Sequence, residues 1–247
     1  MPSPIKVEPM TSTKLANSPV ILALDTCTEL CSAALAWQGG SIAESVDAPR
    51  EHSQRLLPMI ENLLSQSGLK MQDIGLIAYG RGPGSFTGIR ICTSMTQGLA
   101  LGLDVPVIGI STLAAMAQQA ITEHGAQQVI CAIDARMGEI YWAAFEQESG
   151  MAKLVGIEQV SAPETMTSPF ANADKVYCCG TGFDAYPALL QHAENLTLLD
   201  AVKYPQASAM LALANLGWQQ GLATSVDELA PVYLRDTVAW KKLPGRE

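Results

Sequence analysis

Histidine is scarce in this chain: of its 247 residues only His52, His124 and His192 are histidines, and each stands alone. No second histidine lies three or four residues from any of them, which excludes a helical two-imidazole metal site. The six cysteines form no Cys-x-x-Cys, because Cys27 and Cys31 are four apart, Cys178 and Cys179 adjacent, and Cys92 and Cys131 solitary. Nothing in the Cys/His spacing suits zinc. Charge is also thin, at 16% of residues, and basic side chains are outnumbered by 24 to 15, giving a net charge of -9. Such a chain repels phosphate backbones overall and is not expected to bind nucleic acid tightly unaided. No apolar run approaches the 18 or so residues of a membrane span. The first 18 residues, rich in Pro, Ser, Thr and Lys, lack an apolar h-region. They are expected to form a flexible tail rather than a secretory signal, which makes reduced structural thiols in the cytoplasm the expected state. What the chain does have is apolar surface, 48% of residues, enough for a substantial core.

The most informative feature is internal. Val20-Ile21-Leu22-Ala23-Leu24-Asp25 reappears 109 residues later as Val129-Ile130-Cys131-Ala132-Ile133-Asp134. Both copies are short apolar runs of the kind that form buried strands, and both end in aspartate. A returning strand follows each, Cys31–Trp37 in the first half and Ile140–Phe145 in the second. Coincidence between two hydrophobic strands would explain six residues, but the matching second element favours duplication.

The remaining periodicity fits an α/β layered architecture. In the first half it predicts a third strand at 41–47, a helix at 53–67 interrupted by Pro58, a strand at 74–79, a helix at 86–101, a strand at 105–110 and a helix at 112–123. In the second it predicts a strand at 175–179, helices at 183–191 and 207–220, and a closing strand at 231–235. The expected organisation is a tail (1–18), two β-β-β-α-β-α domains (19–125 and 126–235) and a C-terminal tail (236–247).

Between a strand and a helix lies Gly80-Arg81-Gly82-Pro83-Gly84-Ser85-Phe86-Thr87-Gly88-Ile89-Arg90. It is neither a P-loop, a dinucleotide fingerprint nor a nucleophile elbow. Three readings stay open. A glycine turn feeding a helix N-terminus can take an anion. It can also be a tight connection capped by Ser85. Alternatively, Ser94, Gly98 and Gly102, with Gly88 at their start, can form a small-residue ridge for close helix packing, within the chain or against a partner, offsetting the cost of helical glycine. Asp25 and Asp134 would face each other across a cleft if the halves pair, as carboxylates that position a magnesium nucleotide. The second loop, Asp134-Ala135-Arg136-Met137-Gly138, is too bulky to wrap a phosphate and reads as degenerate.

Tyr79–Arg90, Ala132–Trp142 and Pro231–Arg235 resemble signatures of the TsaB (YeaZ) family, and Arg50–Arg55 and Val238–Gly245 fit its proteobacterial members. The resemblance covers the chain from about residue 20 onward. It implies the actin-like ATPase fold, two RNase H-like domains. It further implies a non-catalytic cytoplasmic partner of the paralogue TsaD that acts with the ATPase TsaE in threonylcarbamoyl transfer to the adenosine beside the anticodon of ANN-decoding tRNAs. Such a chain is a homodimer when alone, a heterodimer with TsaD, touches tRNA only within the complex, and has no cofactor of its own. ATP or ADP would sit at the TsaD interface or be used by TsaE. TsaD carries a His-x-x-x-His metal pair where this chain has Thr112 and Met116. Family contacts use the helices near 53–67 and 86–101, making Leu57, Ile60, Phe86, Gly88, Cys92 and Gly98 the expected interface residues. On that reading, Gly88→Trp should spare the fold and abolish TsaD binding. The alternative is a small ATP-using enzyme of the same fold with Asp25 as magnesium ligand.

Overall fold

The computed structural model describes residues 18–235. The expected tails therefore lie outside the described residues, apart from Ser18. The first half runs β1 (Val20–Asp25), β2 (Leu30–Trp37), β3 (Gly40–Asp47), α1 (His52–Ser67), β4 (Ile74–Gly82), α2 (Phe86–Leu103), β5 (Val107–Ser111) and α3 (Thr112–His124). The second half opens with β6 (Gln128–Arg136), β7 (Glu139–Glu148) and β8 (Met151–Ser161). It continues through β9 (Val176–Cys179), α4 (Thr181–Ala185), β10 (Leu196–Leu198) and α5 (Ala207–Gln219).

The two sheets have one topology. Their orders are β3-β2-β1-β4-β5 and, written from the matching edge, β8-β7-β6-β9-β10. In each, the first three strands pair antiparallel and the fourth and fifth join parallel. The repeated hexapeptide thus becomes the central strand of both sheets. Central strands are covered on both faces, which explains why β1 and β6 read as continuous rather than alternating apolar runs. These are the two RNase H-like halves of the actin-like fold.

Helices fill the layers in an interleaved way. α1 places Leu56, Met59, Ile60, Leu63 and Leu64 against one face of the first sheet, and α2 adds Cys92 and Ala100. The opposite face is covered by α5, through Ala207, Met210, Leu211 and Ala214, although α5 belongs to the second half of the sequence. α3, from the first half, lays Leu113, Met116, Ala117 and Ala120 on the second sheet. The halves are therefore pinned together by exchanged apolar helices, not merely joined by a linker.

Three expectations in the second half fail: among the described residues no α-helix stands between β8 and β9, where the β-β-β-α-β-α order expects one, and two others fail at prolines. The helix expected at 183–191 is only Thr181–Ala185, followed by a 3-10 turn at Pro187–Gln191. Pro187 drives Tyr186 out of the helical region, to φ -132° and ψ 69°. The closing strand expected at 231–235 is an extended segment with one backbone bond, from Val232 N–H to the Arg81 carbonyl at 2.7 Å. Pro231 has no N–H to continue a ladder.

Candidate functional site

The loop leaving β1 is the deepest feature of the first half. Asp25 and Thr26 are fully buried, and Asp25 Oδ1 accepts the Cys27 N–H at 3.0 Å. Thr26 donates its hydroxyl to the Gly88 carbonyl at 2.7 Å, and the Ser85 N–H donates to the Cys27 carbonyl at 2.7 Å. The glycine-rich segment closes over this loop. A Cβ at Gly80 would stand 1.9 Å from Asp25 Oδ2, at Gly84 2.2 Å from the Cys27 carbonyl oxygen, and at Gly88 2.0 Å from the Thr26 carbonyl oxygen. Three glycines spaced by four residues thus allow the close approach, Gly84 and Gly88 to backbone and Gly80 to the Asp25 carboxyl, a use of glycine that no other residue can match. Ser85 also caps α2, accepting the Gly88 N–H. Of the three readings of this segment, the tight connection capped by Ser85 is the one seen within the chain, and the row Ser94, Gly98 and Gly102 packs against nothing in it.

This arrangement decides how Asp25 behaves. Oδ2 has no hydrogen-bond partner among the described residues. Burial pushes the carboxyl from 3.8 to about 7, with the Cys27 N–H pulling the other way. As a magnesium ligand Asp25 does not fit: it is 0% exposed, with Gly80 pressed against its Oδ2. Nor does its counterpart supply a second ligand. Asp134 Oδ1 accepts the Arg136 N–H at 2.9 Å, and its other oxygen pairs with the Arg136 guanidinium at 3.0 Å. The guanidinium also reaches Glu29 of the first half at 3.2 Å. The two aspartates do not face one another across an open cleft as a nucleotide pair. Among the described residues no group of three His, Cys, Asp or Glu side chains is placed to hold a metal.

Thr112 and Met116, which the sequence reading set against a metal pair, are both fully buried. The Thr112 hydroxyl donates to the Pro83 carbonyl, and the Met116 methyl lies 2.7 Å from where a Cβ at Gly180 would be. Thr112 thus ties α3 to the glycine-rich segment of its own half, and Met116 packs against the second half.

The expected interface residues divide. Leu57 is 39% exposed, Phe86 54%, and Gly98 has open space around it. Ile60 and Cys92 are fully buried in the core beneath the helices, and Gly88 is packed on Thr26, so none of these three has a surface to offer a partner. The reason is helical phase. Gly88, Cys92, Thr96 and Ala100 form one i, i+4 row, and it faces the sheet. Ser94, Gly98 and Gly102 form a second row, offset by two residues and about 200°, and it faces outward. Gly88 does not belong to the ridge, and Gly88→Trp would break the fold before it tested any partner. Beside the outward row stands Leu101, 60% exposed, which the sequence reading passed over.

Sequence reasoning read 231–235 as a closing strand and a family signature, but not as part of the site that the segment 229–235 forms. The segment runs from the first half, where the Ala230 N–H donates to the Tyr79 hydroxyl at 3.2 Å, to the second. There Arg235 pairs with Glu139 and donates to the Ala135 carbonyl at 3.1 Å. Tyr233 sits on Phe86 with ring centroids 5.5 Å apart. The segment walls a cleft of about 640 Å³ between the halves, lined also by the loop after β1, the end of β6 and Tyr141. Its sequence signal was the Pro-Val-Tyr-Leu-Arg string, which does not by itself place the segment at the cleft. No described helix is long and apolar enough to cross a membrane.

Comparison with known proteins agrees with this architecture. Residues 38–243 match the family model described as "TsaD: tRNA N6-adenosine threonylcarbamoyltransferase". The chain is 46% identical over 231 residues to the tRNA threonylcarbamoyladenosine biosynthesis protein TsaB of Escherichia coli, covering 92% of this chain and 99% of that one. It is 43% identical over 235 residues to TsaB of Haemophilus influenzae, covering 92% and 98%. The crystal structure of YeaZ from Pseudomonas aeruginosa superposes with a TM-score of 0.82 at 40% identity, covering 87% of this chain and all of that one. The match to a model described for TsaD accords with paralogy between the two proteins. With near-complete coverage of its relatives at this identity, the chain belongs to the TsaB (YeaZ) family.

Proposed function

We propose that this protein is a non-catalytic partner of TsaD in threonylcarbamoyl transfer to the tRNA adenosine beside the anticodon, working with TsaE. The observation that carries this reading is the outward face of the two helices over the first sheet. There the row Ser94, Gly98 and Gly102 lies bare, and Leu57 and Leu101 are exposed beside it. Helical glycines cost about 1 kcal/mol each relative to alanine, and close approach of another helix is the usual compensation. The same face serves a second copy when the chain is alone and TsaD when it is present. ATP or ADP enters the reaction at the contact with TsaD or through TsaE, and tRNA is met only in the assembly. The buried, glycine-covered Asp25 and the Arg136-paired Asp134 support a role without chemistry of its own. The paralogue's metal positions support it too, since here they hold an interior threonine and methionine.

The test is transfer to tRNA by purified TsaD and TsaE, supplied with the threonylcarbamoyl adenylate, with and without this protein. We expect transfer to require it, an Asp25→Ala, Asp134→Ala variant to support transfer wherever it folds, and Leu57→Glu, Leu101→Glu to lose both TsaD co-elution and transfer. Equal transfer by TsaD and TsaE alone would sink the reading.

A further inference from the structure

The β6–β7 hairpin turns on backbone that residues with a side chain avoid. Arg136 and Glu139 are register partners, so Met137 and Gly138 form a two-residue turn. Arg136, Met137 and Gly138 stand at φ 62°, 59° and 81°, three left-handed residues in succession, of which only the last is a glycine. A turn with positive φ at both central positions favours Asn-Gly and carries methionine poorly. One side chain from outside the hairpin holds it. The Arg235 guanidinium donates to the Ala135 carbonyl at 3.1 Å and the Arg136 carbonyl at 3.3 Å, and it pairs with Glu139 across the turn. It also lies 3.6 Å from Met137 Sδ and 5.9 Å from the Tyr141 ring centroid. Arg235 thus bridges both strands at the base of the turn, using a fork of donors that lysine lacks. The segment carrying Arg235 is fixed to the first half as well. Ala230 donates its N–H to the Tyr79 hydroxyl at 3.2 Å, Val232 donates to the Arg81 carbonyl at 2.7 Å, and the Tyr233 ring sits on Phe86. Phe86 opens α2, is 54% exposed, and also carries the Arg90 guanidinium 3.7 Å from its centroid. Leu234 alone separates Tyr233, on α2, from Arg235, on the hairpin.

We propose that residues 229–235 are a latch: Arg235 holds the hairpin tip in its left-handed form, and contact at the exposed Phe86 ring is passed to that tip through Tyr233. The tip is the element with two arrangements, and both Arg235 and Phe86 bias it. The proposal rests on the partner reading only for what would touch Phe86. Its test uses the chain alone, so the two readings fail separately. Hydrogen exchange of the full chain, followed by mass spectrometry, reads the amides of residues 136–140 with β1 and β4 as internal reference. Arg235→Ala is expected to speed exchange at the tip about tenfold relative to β1 and β4, and Arg235→Lys to recover little of that loss. Phe86→Ala is expected to speed exchange at the tip about threefold in the parent and to add nothing in the Arg235→Ala background. Met137→Asn, which gives the turn its favoured Asn-Gly pair, is expected to restore slow exchange to Arg235→Ala. A variant that merely loosened the whole chain would speed β1 and β4 equally and would not be rescued by a turn residue. The proposal is overturned if the tip of Arg235→Ala gains no more exchange than β1 and β4, or if Met137→Asn does not rescue it. It is also overturned if Phe86→Ala leaves the tip unchanged in the parent, or adds its effect in full to that of Arg235→Ala.

Discussion

Asp25→Asn should change how stability depends on pH, by an amount that follows from the burial of one carboxyl. In the folded chain this group titrates near 7 because it is sealed beneath Gly80, Gly84 and Gly88, whereas the free side chain titrates at 3.8. Between those values the folded state keeps a proton that the unfolded chain has released. Stability therefore falls as pH rises from about 4 to about 7 and is flat for this group on either side. At about 1.36 kcal/mol per pH unit, the full loss is about 4 kcal/mol. Asparagine keeps an oxygen to accept the Cys27 N–H and cannot ionise. The stability of the variant relative to the parent should thus rise by roughly 2 to 3 kcal/mol between pH 5 and pH 8, the part of the titration that lies in that window. Urea unfolding of both proteins at pH 5, 6, 7 and 8 measures it, and subtracting parent from variant removes the titration of the other carboxylates, which the two share. Curves that stay parallel across this range would refute the account of a sealed, orphaned carboxyl.

Gly88→Ala places a methyl 2.0 Å from the Thr26 carbonyl oxygen and should cost at least about 2 kcal/mol in urea unfolding. Gly98→Ala, in open space on the same helix, should instead stabilise by up to about 1 kcal/mol and so mark which glycine is structural. All six cysteines are buried, and burial pushes Cys31 and Cys178 up to about 12, so a thiol reagent at neutral pH should label none within minutes and all six in denaturant. Arg81→Met leaves Glu158, whose side chain is 8% exposed, without the guanidinium that reaches it at 2.8 Å from the other half, and should lower stability by about 2 kcal/mol by thermal or urea unfolding.

How much of this was legible in the sequence depended on whether the signal was local. The central strands announce themselves because a strand covered on both faces must be apolar throughout, and Val-Ile-Leu-Ala-Leu and Val-Ile-Cys-Ala-Ile are. The duplication was visible for the same reason, and the sheet orders bear it out. What a glycine touches is not local. Gly88 and Gly98 sit on one helix in similar company, yet one is pressed against Thr26 and the other faces open space. Phase along the helix separates them, and counting by fours from Gly88 reaches Cys92, Thr96 and Ala100, never Gly98. The cleft was least legible, because its walls come from the loop after β1, the end of β6, the start of α2 and a segment near residue 233. Only the tertiary fold brings those together.

The repeated aspartate invites a last inference about what duplication preserved. Asp25 ends β1 and Asp134 stands at an irregularity two residues before the end of β6, and in both the Oδ1 oxygen accepts the N–H two residues on, from Cys27 at 3.0 Å and from Arg136 at 2.9 Å. That is an Asx turn, a local bond that steers the chain out of a strand without any ligand. A shared role in turning is enough to explain why the residue stands at both places. It leaves each copy's remaining carboxylate oxygen to its own surroundings: Asp25 Oδ2 is sealed and unpartnered, Asp134 Oδ2 is paired with Arg136. A nucleotide site would need both oxygens on one open cleft, so the identity of the two residues argues for common descent and a common bend in the backbone, and not for a common chemistry.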